Sequence, residues 1–307
     1  MKRTYLALVI LLVLSTFIPV FSGGRTQNNQ VPTQLTIGLM PAVDIAPILV
    51  ARDSGFFQQA GIEVDLQIFT SAQDRQSALQ AGVIDGALTD LVAVALNVAS
   101  GFQIRATTST EGMFMILGNS EKLSSQPENP SIGLMEVSVT NFLADEWLGT
   151  TYRLDKVYIN DIGARLEATV LGQTHMGMFP EPLATVGLGR GLDMVAQSSS
   201  QDFSPQVMAF TQEALENKEQ AIRAFHRAYN QAVVAINRNP DLARDALVRS
   251  IPNLNPAIRD LITLPAYRAA YLPDSAFIQH ILDWTAEVSK RNLTLTPSDL
   301  VDRRFIP

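Results

Sequence analysis

Polar residues follow several predicted strands, at the point where a strand ends and a helix begins. Hydroxyl and carboxyl side chains at such points can cap a helix or bind a small polar ligand, since they supply hydrogen-bond donors and acceptors. Ligands of open α/β sheets bind at the carboxyl ends of the strands. The candidate ligand-binding residues of this kind are Asp44, Thr70, Ser71, Thr89, Asp90, Thr110, Glu111, Ser138 and Thr140, and Val139 is a further candidate through its backbone N–H group.

A purely structural interpretation exists for several of these residues. Asp44 can serve only as the cap of the helix that follows it. Thr110 and Glu111 lie in a polar loop that ends at Gly112, which is equally consistent with a solvated turn. Val139 and Thr140 stand at a predicted helix start, whose free backbone N–H groups can face an anion.

The stretch from residue 62 to residue 99 predicts the elements that position these side chains. Apolar and polar residues alternate over 62–68, the period of a half-buried strand. A helix follows, starting at a capping box formed by Thr70 and Gln73 or at Ser71, and Gly82 closes it. A short strand and a helix over 91–99 complete the unit. Residues 168–181 repeat this order weakly, which predicts two lobes built on one plan and facing one cleft.

Composition excludes several classes of function. The chain has 307 residues, a net charge of −7 and no run of Lys and Arg, so a nucleic-acid partner is not expected. Cysteine is absent, which rules out disulfides, thiolate metal sites and cysteine nucleophiles. The three histidines are widely spaced, and no Walker loop or nucleophile elbow occurs. We therefore expect no catalytic residues, no metal and no cofactor.

The first 24 residues have the pattern of a secretory signal peptide. Lys2 and Arg3 precede an apolar stretch over 5–21, and small residues follow it. A retained membrane anchor is the alternative. Because no cysteine follows the apolar stretch, a lipoprotein is excluded. Residues 25–33 are predicted to be a linker, and the mature protein is expected to be periplasmic or otherwise extracytoplasmic.

Four motifs occur in a fixed order along the first lobe. They are Met-Pro-Ala-Val-Asp at 40–44, Ala-Arg-Asp-Ser-Gly-Phe-Phe at 51–57, Gly-Ile-Glu-Val at 61–64 and Ala-Gly-Val-Ile-Asp-Gly-Ala at 81–87. Together they resemble the substrate-binding proteins of ABC importers for nitrate, sulfonates, taurine and thiamine-pyrimidine precursors. The resemblance covers nearly all of the mature chain.

The resemblance implies a type II periplasmic-binding-protein fold, with two α/β lobes and a ligand cleft between them. The first lobe is expected over 34–112, the second over 113–204, and a return to the first lobe with C-terminal helices over 205–307. A long helix is predicted over 213–238. The resemblance adds Pro41, Ala42 and the glutamate of Pro-Glu-Pro, Glu181, to the candidate ligand contacts. For Glu181 the alternative is a first-turn acid that interacts with the helix dipole.

The predicted function is an exported solute-binding protein, expected to be a monomer, that delivers a small molecule to an ABC import permease. No arginine lies beside the candidate motifs, although anion sites usually contain one. This favours a donor-rich or cationic heterocycle such as a pyrimidine over nitrate or a sulfonate, although a sulfonate-, taurine- or nitrate-like ligand stays possible because helix N-termini alone can bind a sulfonate. The alternatives are an enzyme on the same fold, of the menaquinone-pathway dehydratase type, and a sensor domain that passes occupancy to a membrane partner.

Overall fold

Two five-stranded mixed sheets, each flanked by helices, form the protein. The computed structural model describes residues 33–198 and 204–306. The first sheet has the order β2–β1–β3–β10–β4 and contains β1 (Thr33–Leu39), β2 (Ile62–Ile68), β3 (Gly86–Asp90), β4 (Ile104–Ser109) and β10 (Gln206–Thr211). The second has the order β7–β6–β8–β5–β9 and contains β5 (Phe114–Gly118), β6 (Ser131–Leu134), β7 (Asp155–Tyr158), β8 (Met176–Pro180) and β9 (Asp193–Gln197).

Helices connect most of these strands and cover the sheets. They are α1 (Ala46–Asp53), α2 (Phe56–Gln59), α3 (Ala72–Gln80), α4 (Leu91–Ala99), α5 (Ser120–Leu123), α6 (Val139–Leu148), α7 (Ile162–Val170), α8 (Leu183–Gly189), α9 (Gln212–Asn217), α10 (Glu219–Arg238), α11 (Asp241–Ser250), α12 (Ser275–Ser289) and α13 (Pro297–Leu300). Short 3₁₀ turns lie at Val43–Ile45, Pro256–Leu261 and Arg303–Phe305.

Both sheets follow the same plan, as the weak repeat in the sequence predicted. In each, four strands run in one direction and a fifth lies antiparallel between two of them, which is β10 between β3 and β4 in the first sheet and β5 between β8 and β9 in the second. The chain passes from β4 to β5 through residues 110–113, and β10 of the first sheet follows β9 of the second in the sequence. The boundaries 34–112, 113–204 and 205–307 stay a prediction.

Side-chain caps set the starts of the helices that face the edge of each sheet. Ser71 Oγ accepts from the amide of Asp74 at 3.3 Å, so Ser71 caps α3 and the predicted Thr70–Gln73 capping box is wrong. Asp90 caps α4, with Oδ1 accepting from the amide of Ala93 at 2.8 Å. Asp161 caps α7 in the same way in the second lobe.

The helix predicted over 213–238 is two helices, α9 and α10, which meet at Lys218. The Lys218 ammonium donates to both carboxylate oxygens of Asp85 at 2.8 Å. Asp85 also accepts from the backbone amide of Thr36 in β1 at 2.8 Å. This contact between distant parts of the chain accompanies the break, and periodicity alone cannot predict it.

The C-terminal helices were expected to pack on the first lobe, but α12 contacts both lobes. It packs against α4 of the first lobe. It also meets α6 of the second lobe, where the Trp284 indole donates to Asp145 at 3.0 Å and its ring stands edge-on to Phe142, with centroids 5.4 Å apart. One apolar cluster therefore runs from α4 through α12 to α6.

Within residues 33–198 and 204–306, no helix combines the length and apolar character that a membrane span requires. The predicted signal peptide over 1–24 and nearly all of the predicted linker over 25–33 lie outside the described residues.

Candidate functional site

A small cavity lies between the two lobes, and both lobes contribute to its lining. Its volume is about 70 Å³, far below the roughly 300 Å³ at which pockets for drug-sized ligands begin. An open groove of about 470 Å³ adjoins it and shares Ala72, Arg75, Asp90 and Met135 with its lining. A third depression of about 510 Å³ lies away from the cleft, between α10, α11 and the segment around Tyr267. Only the cavity between the lobes contains charged side chains that are both buried and unpaired among the described residues.

The structure brings about half of the predicted ligand-binding residues together in this cavity. They are Pro41, Ala42, Asp44, Thr89, Asp90, Val139 and Thr140. Ser138 lines the adjoining groove instead. The others lie outside both linings: Thr70 is exposed, Ser71 is half-buried at the start of α3, and Thr110, Glu111 and Glu181 are buried elsewhere.

Arg165 of the second lobe is a cavity residue that the sequence did not indicate. It lies one turn into α7, four residues after the Asp161 cap, and its side chain is fully buried. None of its three guanidinium nitrogens has a hydrogen-bond partner among the described residues. Burial lowers the pKa of Arg165 from 12.5 to about 10, and the charge of Asp161 offsets part of that effect.

Arg75 is the matching arginine of the first lobe. It lies four residues after the Ser71 cap of α3, the same position that Arg165 takes after its own cap. Its guanidinium donates to the carbonyl of Leu88 at 2.8 Å and to Thr89 Oγ1 at 3.1 Å. Burial lowers the pKa of Arg75, while Asp90 and Asp44 raise it. The prediction that no arginine accompanies the candidate residues is therefore wrong.

A glycine makes room for each arginine stem. A Cβ on Gly38 of β1 would lie 3.2 Å from Cγ of Arg75. A Cβ on Gly133 of β6 would lie 3.0 Å from Cγ of Arg165. Because such contacts are shorter than ordinary van der Waals distances, a side chain at either glycine would press on the arginine that reaches the cavity.

Asp44 is the acidic counterpart of these arginines. It is 1% exposed, and neither carboxylate oxygen has a hydrogen-bond partner among the described residues. Burial raises the pKa of Asp44 to about 7, and its backbone, Gln206, Arg75 and Thr110 offset only part of that rise. Asp44 forms no side-chain cap for the turn that contains it. The purely capping interpretation of Asp44 is therefore wrong.

Asp90 and the start of α6 face each other across the cleft. Burial raises the pKa of Asp90, and the amide of Ala93, the charge of Arg75 and the amide of Val139 oppose that rise. Val139 is the first residue of α6, so an N–H group of the second lobe points toward a carboxylate of the first. The hydroxyl of Thr140 accepts from the amide of Met135 at 3.1 Å.

The two buried glutamates have partners within the protein. Glu111 accepts from Arg268 Nε at 2.6 Å and Nη2 at 3.1 Å. Glu181 accepts from the amide of Thr185 at 3.0 Å, from its hydroxyl at 2.8 Å and from the amide of Thr263 at 3.3 Å. Thr185 lies in the first turn of α8, so the bond from its amide to Glu181 agrees with the alternative interpretation, in which Glu181 interacts with the start of that helix. A ligand contact for either glutamate stays a prediction.

The three histidines each contact one nearby polar side chain. His226 is buried against Thr107, and burial lowers its pKa to about 3. His175 contacts Ser131, and His280 contacts Glu146. Among the described residues, no group of three His, Asp or Glu side chains is placed to hold a metal ion.

Comparison with known proteins relates the chain to transport proteins. Residues 28–148 match the NMT1-like family. A segment of 52 residues is 35% identical to the nitrate import ATP-binding protein NrtC of Synechococcus elongatus, a match that spans 17% of this chain and 8% of that protein.

Solved structures share the fold of nearly the whole chain. The ligand-binding component of an ABC-type import system from Staphylococcus aureus, solved with zinc bound, has a TM-score of 0.74 at 15% identity, over 89% of this chain and 97% of that one. The alkanesulfonate-binding protein SsuA of Xanthomonas axonopodis, bound to MOPS, has a TM-score of 0.70 at 17% identity, and the match covers 88% of this chain and 98% of that one. The periplasmic nitrate-binding protein NrtA of Synechocystis has a TM-score of 0.68 at 13% identity, and the match covers 85% of this chain and 86% of that one.

These findings confirm the predicted resemblance and fold class. The matching family and the solved neighbours are those that the four sequence motifs indicated, and the neighbours have the periplasmic binding protein fold. The neighbours described above are a ligand-binding component of an ABC-type import system, an alkanesulfonate-binding protein and a nitrate-binding protein.

Proposed function

We propose that the protein is an exported solute-binding protein. The chain matches the NMT1-like family over residues 28–148 and has the periplasmic binding protein fold. It captures a small molecule with an anionic head in the cleft between its lobes and delivers that molecule to an ABC import permease.

The observation that carries this proposal is the unpaired guanidinium of Arg165 in the cavity. Burying a charge without a partner costs several kcal/mol, whereas an oxyanion can accept two parallel hydrogen bonds from a guanidinium. Arg165 is fully buried and its three nitrogens have no partner among the described residues. An anionic group in the cavity would supply what Arg165 lacks.

The surroundings of Arg165 support an oxyanion over the pyrimidine-like ligand that the sequence favoured. The start of α6, with Val139 and Thr140, also lines the cavity, and a helix N-terminus attracts negative charge. Arg75 contributes a second positive charge from the first lobe. Nitrate, sulfonates and carboxylates all carry the required head.

The position of the cavity between two lobes supports the proposed delivery to a permease. Because each lobe supplies a charged side chain, Arg75 or Arg165, a ligand bound to both favours the closed arrangement over an open one. Hinge closure of this kind is one established way in which two-lobed proteins respond to a ligand. We propose that the permease recognises the closed form.

A thermal-unfolding screen tests the proposal. The library would contain nitrate, alkanesulfonates, taurine, small carboxylates and, as the competing class, neutral and cationic pyrimidines. A ligand at about a hundred times its dissociation constant adds roughly 2.7 kcal/mol of stability, which raises Tm by several degrees for a chain of this size. We expect oxyanions to stabilise the protein. Stabilisation by pyrimidines alone would contradict the proposed anionic head.

A further inference from the structure

The unpaired polar groups of the cavity are sorted by lobe. On the first lobe they are acceptors, the two carboxylate oxygens of Asp44 and Oε1 of Gln206. On the second lobe they are donors, the three nitrogens of Arg165. Asp44 is 1% exposed, Gln206 9% and Arg165 0%, and the atoms named have no partner among the described residues.

This arrangement requires two different partners at opposite ends of the cavity. An unpaired buried acceptor or donor costs about 1–3 kcal/mol, and more when it is charged. An oxyanion can satisfy Arg165 but not Asp44, because the carboxylate of Asp44 would repel it. A group that donates hydrogen bonds, and preferably carries positive charge, is needed on the side of Asp44 and Gln206.

The charge balance of the cavity leads to the same conclusion. Its charged lining residues are two acids and two bases, Asp44 and Asp90 against Arg75 and Arg165, and the charges balance above pH 7, where Asp44 is mostly ionised. A ligand with no net charge leaves that balance unchanged, whereas a simple anion adds one uncompensated negative charge to a buried site.

We propose that the cavity selects a zwitterion, with its oxyanion head against Arg165 and its protonated nitrogen against Asp44 and Gln206. Asp44 is then the residue that separates zwitterions from simple anions of the same shape. This inference rests on the proposed function and names the class of its ligand.

Charged and titratable groups on other elements also act on Asp44. Gln206, Arg75 of α3 and Thr110 lower its pKa, and the charge of Asp44 in turn raises the pKa of Tyr229 and of Tyr267, on which Glu111 also acts. The Tyr267 hydroxyl is already engaged, since it donates to the carbonyl of Val43 at 2.8 Å. Glu111 is neutralised by Arg268. Neither carboxylate oxygen of Asp44 has a hydrogen-bond partner in the described structure, so a ligand cation there would meet only the weaker influence of Gln206, Thr110 and Arg75, which lower the pKa of Asp44 without offsetting its burial.

The experiment is an isothermal titration with two matched pairs of probes at pH 7.5. Taurine is compared with propane-1-sulfonate, and β-alanine with butyrate, so that each pair differs only by an ammonium in place of a methyl group. We expect the zwitterion of at least one pair to bind ten times or more as tightly as its partner. The pair that shows the preference identifies a sulfonate or a carboxylate head.

Variants assign the preference to Asp44. Asp44→Asn should reduce the ratio within that pair to about one, while Asp74→Asn, an exposed aspartate on α3, should leave it unchanged. Equal affinities within both pairs for the unmodified protein would overturn the zwitterion proposal and leave the proposed function intact. No binding of any of the four probes would instead count against the anionic head itself.

Discussion

Replacing Arg165 by methionine should make the empty protein more stable while removing its affinity for an anion. The substitution keeps an unbranched side chain of similar length in α7 and deletes only the buried charge. In the native structure that charge is fully buried, has no hydrogen-bond partner among the described residues, and lies 5.9 Å from the ring centroid of Phe179. In the unfolded chain it is hydrated.

The size of the effect follows from the pKa of Arg165, which burial lowers from 12.5 to about 10. Each tenfold change in proton affinity is worth about 1.4 kcal/mol, so the native state disfavours the charged form by about 3 kcal/mol. At pH 7 the side chain is charged in both states, because this pH lies below both pKa values, and the full cost is present. The cost would fall only as pH rises from about 10 to 12.5.

We therefore expect Arg165→Met to raise the free energy of unfolding by about 1–3 kcal/mol at pH 7, because lost packing offsets part of the gain. Urea unfolding of the ligand-free protein measures it, and the accompanying rise in Tm should be roughly 2–6 °C. Arg190→Met is the matched control. Arg190 forms an exposed ion pair with Glu167, and such pairs contribute about 0–1 kcal/mol.

A loss of stability in Arg165→Met would refute this reasoning. It would mean that Arg165 has partners in the folded protein that stabilise it, and that its charge is a structural feature rather than a binding group. A gain in stability with unchanged affinity for anions would refute the binding role alone.

Three further substitutions test other parts of the structure. Because burial raises the pKa of Asp44 from 3.8 to about 7, the unmodified protein should lose about 4 kcal/mol of stability as pH rises from about 4 to 7. Urea unfolding should show no such pH-dependent loss in the Asp44→Asn variant. Gly86→Ala places a Cβ 2.7 Å from the carbonyl oxygen of Ala209 in β10, and thermal unfolding should show a loss of about 1–3 kcal/mol; an unchanged Tm would contradict this. Asp85→Ala removes the acceptor of Lys218 and should cost about 1–3 kcal/mol in urea unfolding, with exposed Asp65→Ala as the near-neutral control.

Most of the fold was predictable because it follows from local patterns. Alternating residues over 62–68 became β2, and the glycine at Gly82 lies at the predicted left-handed turn with φ of 69°. The repeat of strand, helix and glycine correctly indicated two lobes on one plan. The break at Lys218 was missed because it accompanies an ion pair with Asp85, which no local pattern reveals.

The site was predictable only where it follows directly from strand ends. Thr89 and Asp90 could be placed in the cleft because they end β3. Arg75 and Arg165 lie one turn inside their helices, and their stems pass over glycines of neighbouring strands. In both lobes a helix-capping residue is followed four residues later by an arginine. This repetition is the sequence signal that could have identified the two arginines.

The two glutamates show what strand position and resemblance leave out. Glu111 was proposed as a cleft residue because it follows a predicted strand, and Glu181 because of the family resemblance. In the structure their oxygens bind Arg268 and Thr263, which come from the C-terminal part of the chain. Acceptors that are satisfied within the protein have less to offer a ligand, and partners more than eighty residues away are invisible to motif analysis.

The most direct test of the central claim is a titration of the unmodified protein and of Arg165→Met with the same small oxyanion probe, taurine, at pH 7.5. If Arg165 holds the anionic head, the unmodified protein binds the probe and the variant binds it at least about thirtyfold more weakly, the loss expected for a charge-assisted hydrogen-bonded pair worth 2 kcal/mol or more. Equal affinities for the two proteins would contradict the claim that Arg165 in this cleft is the anion-binding group.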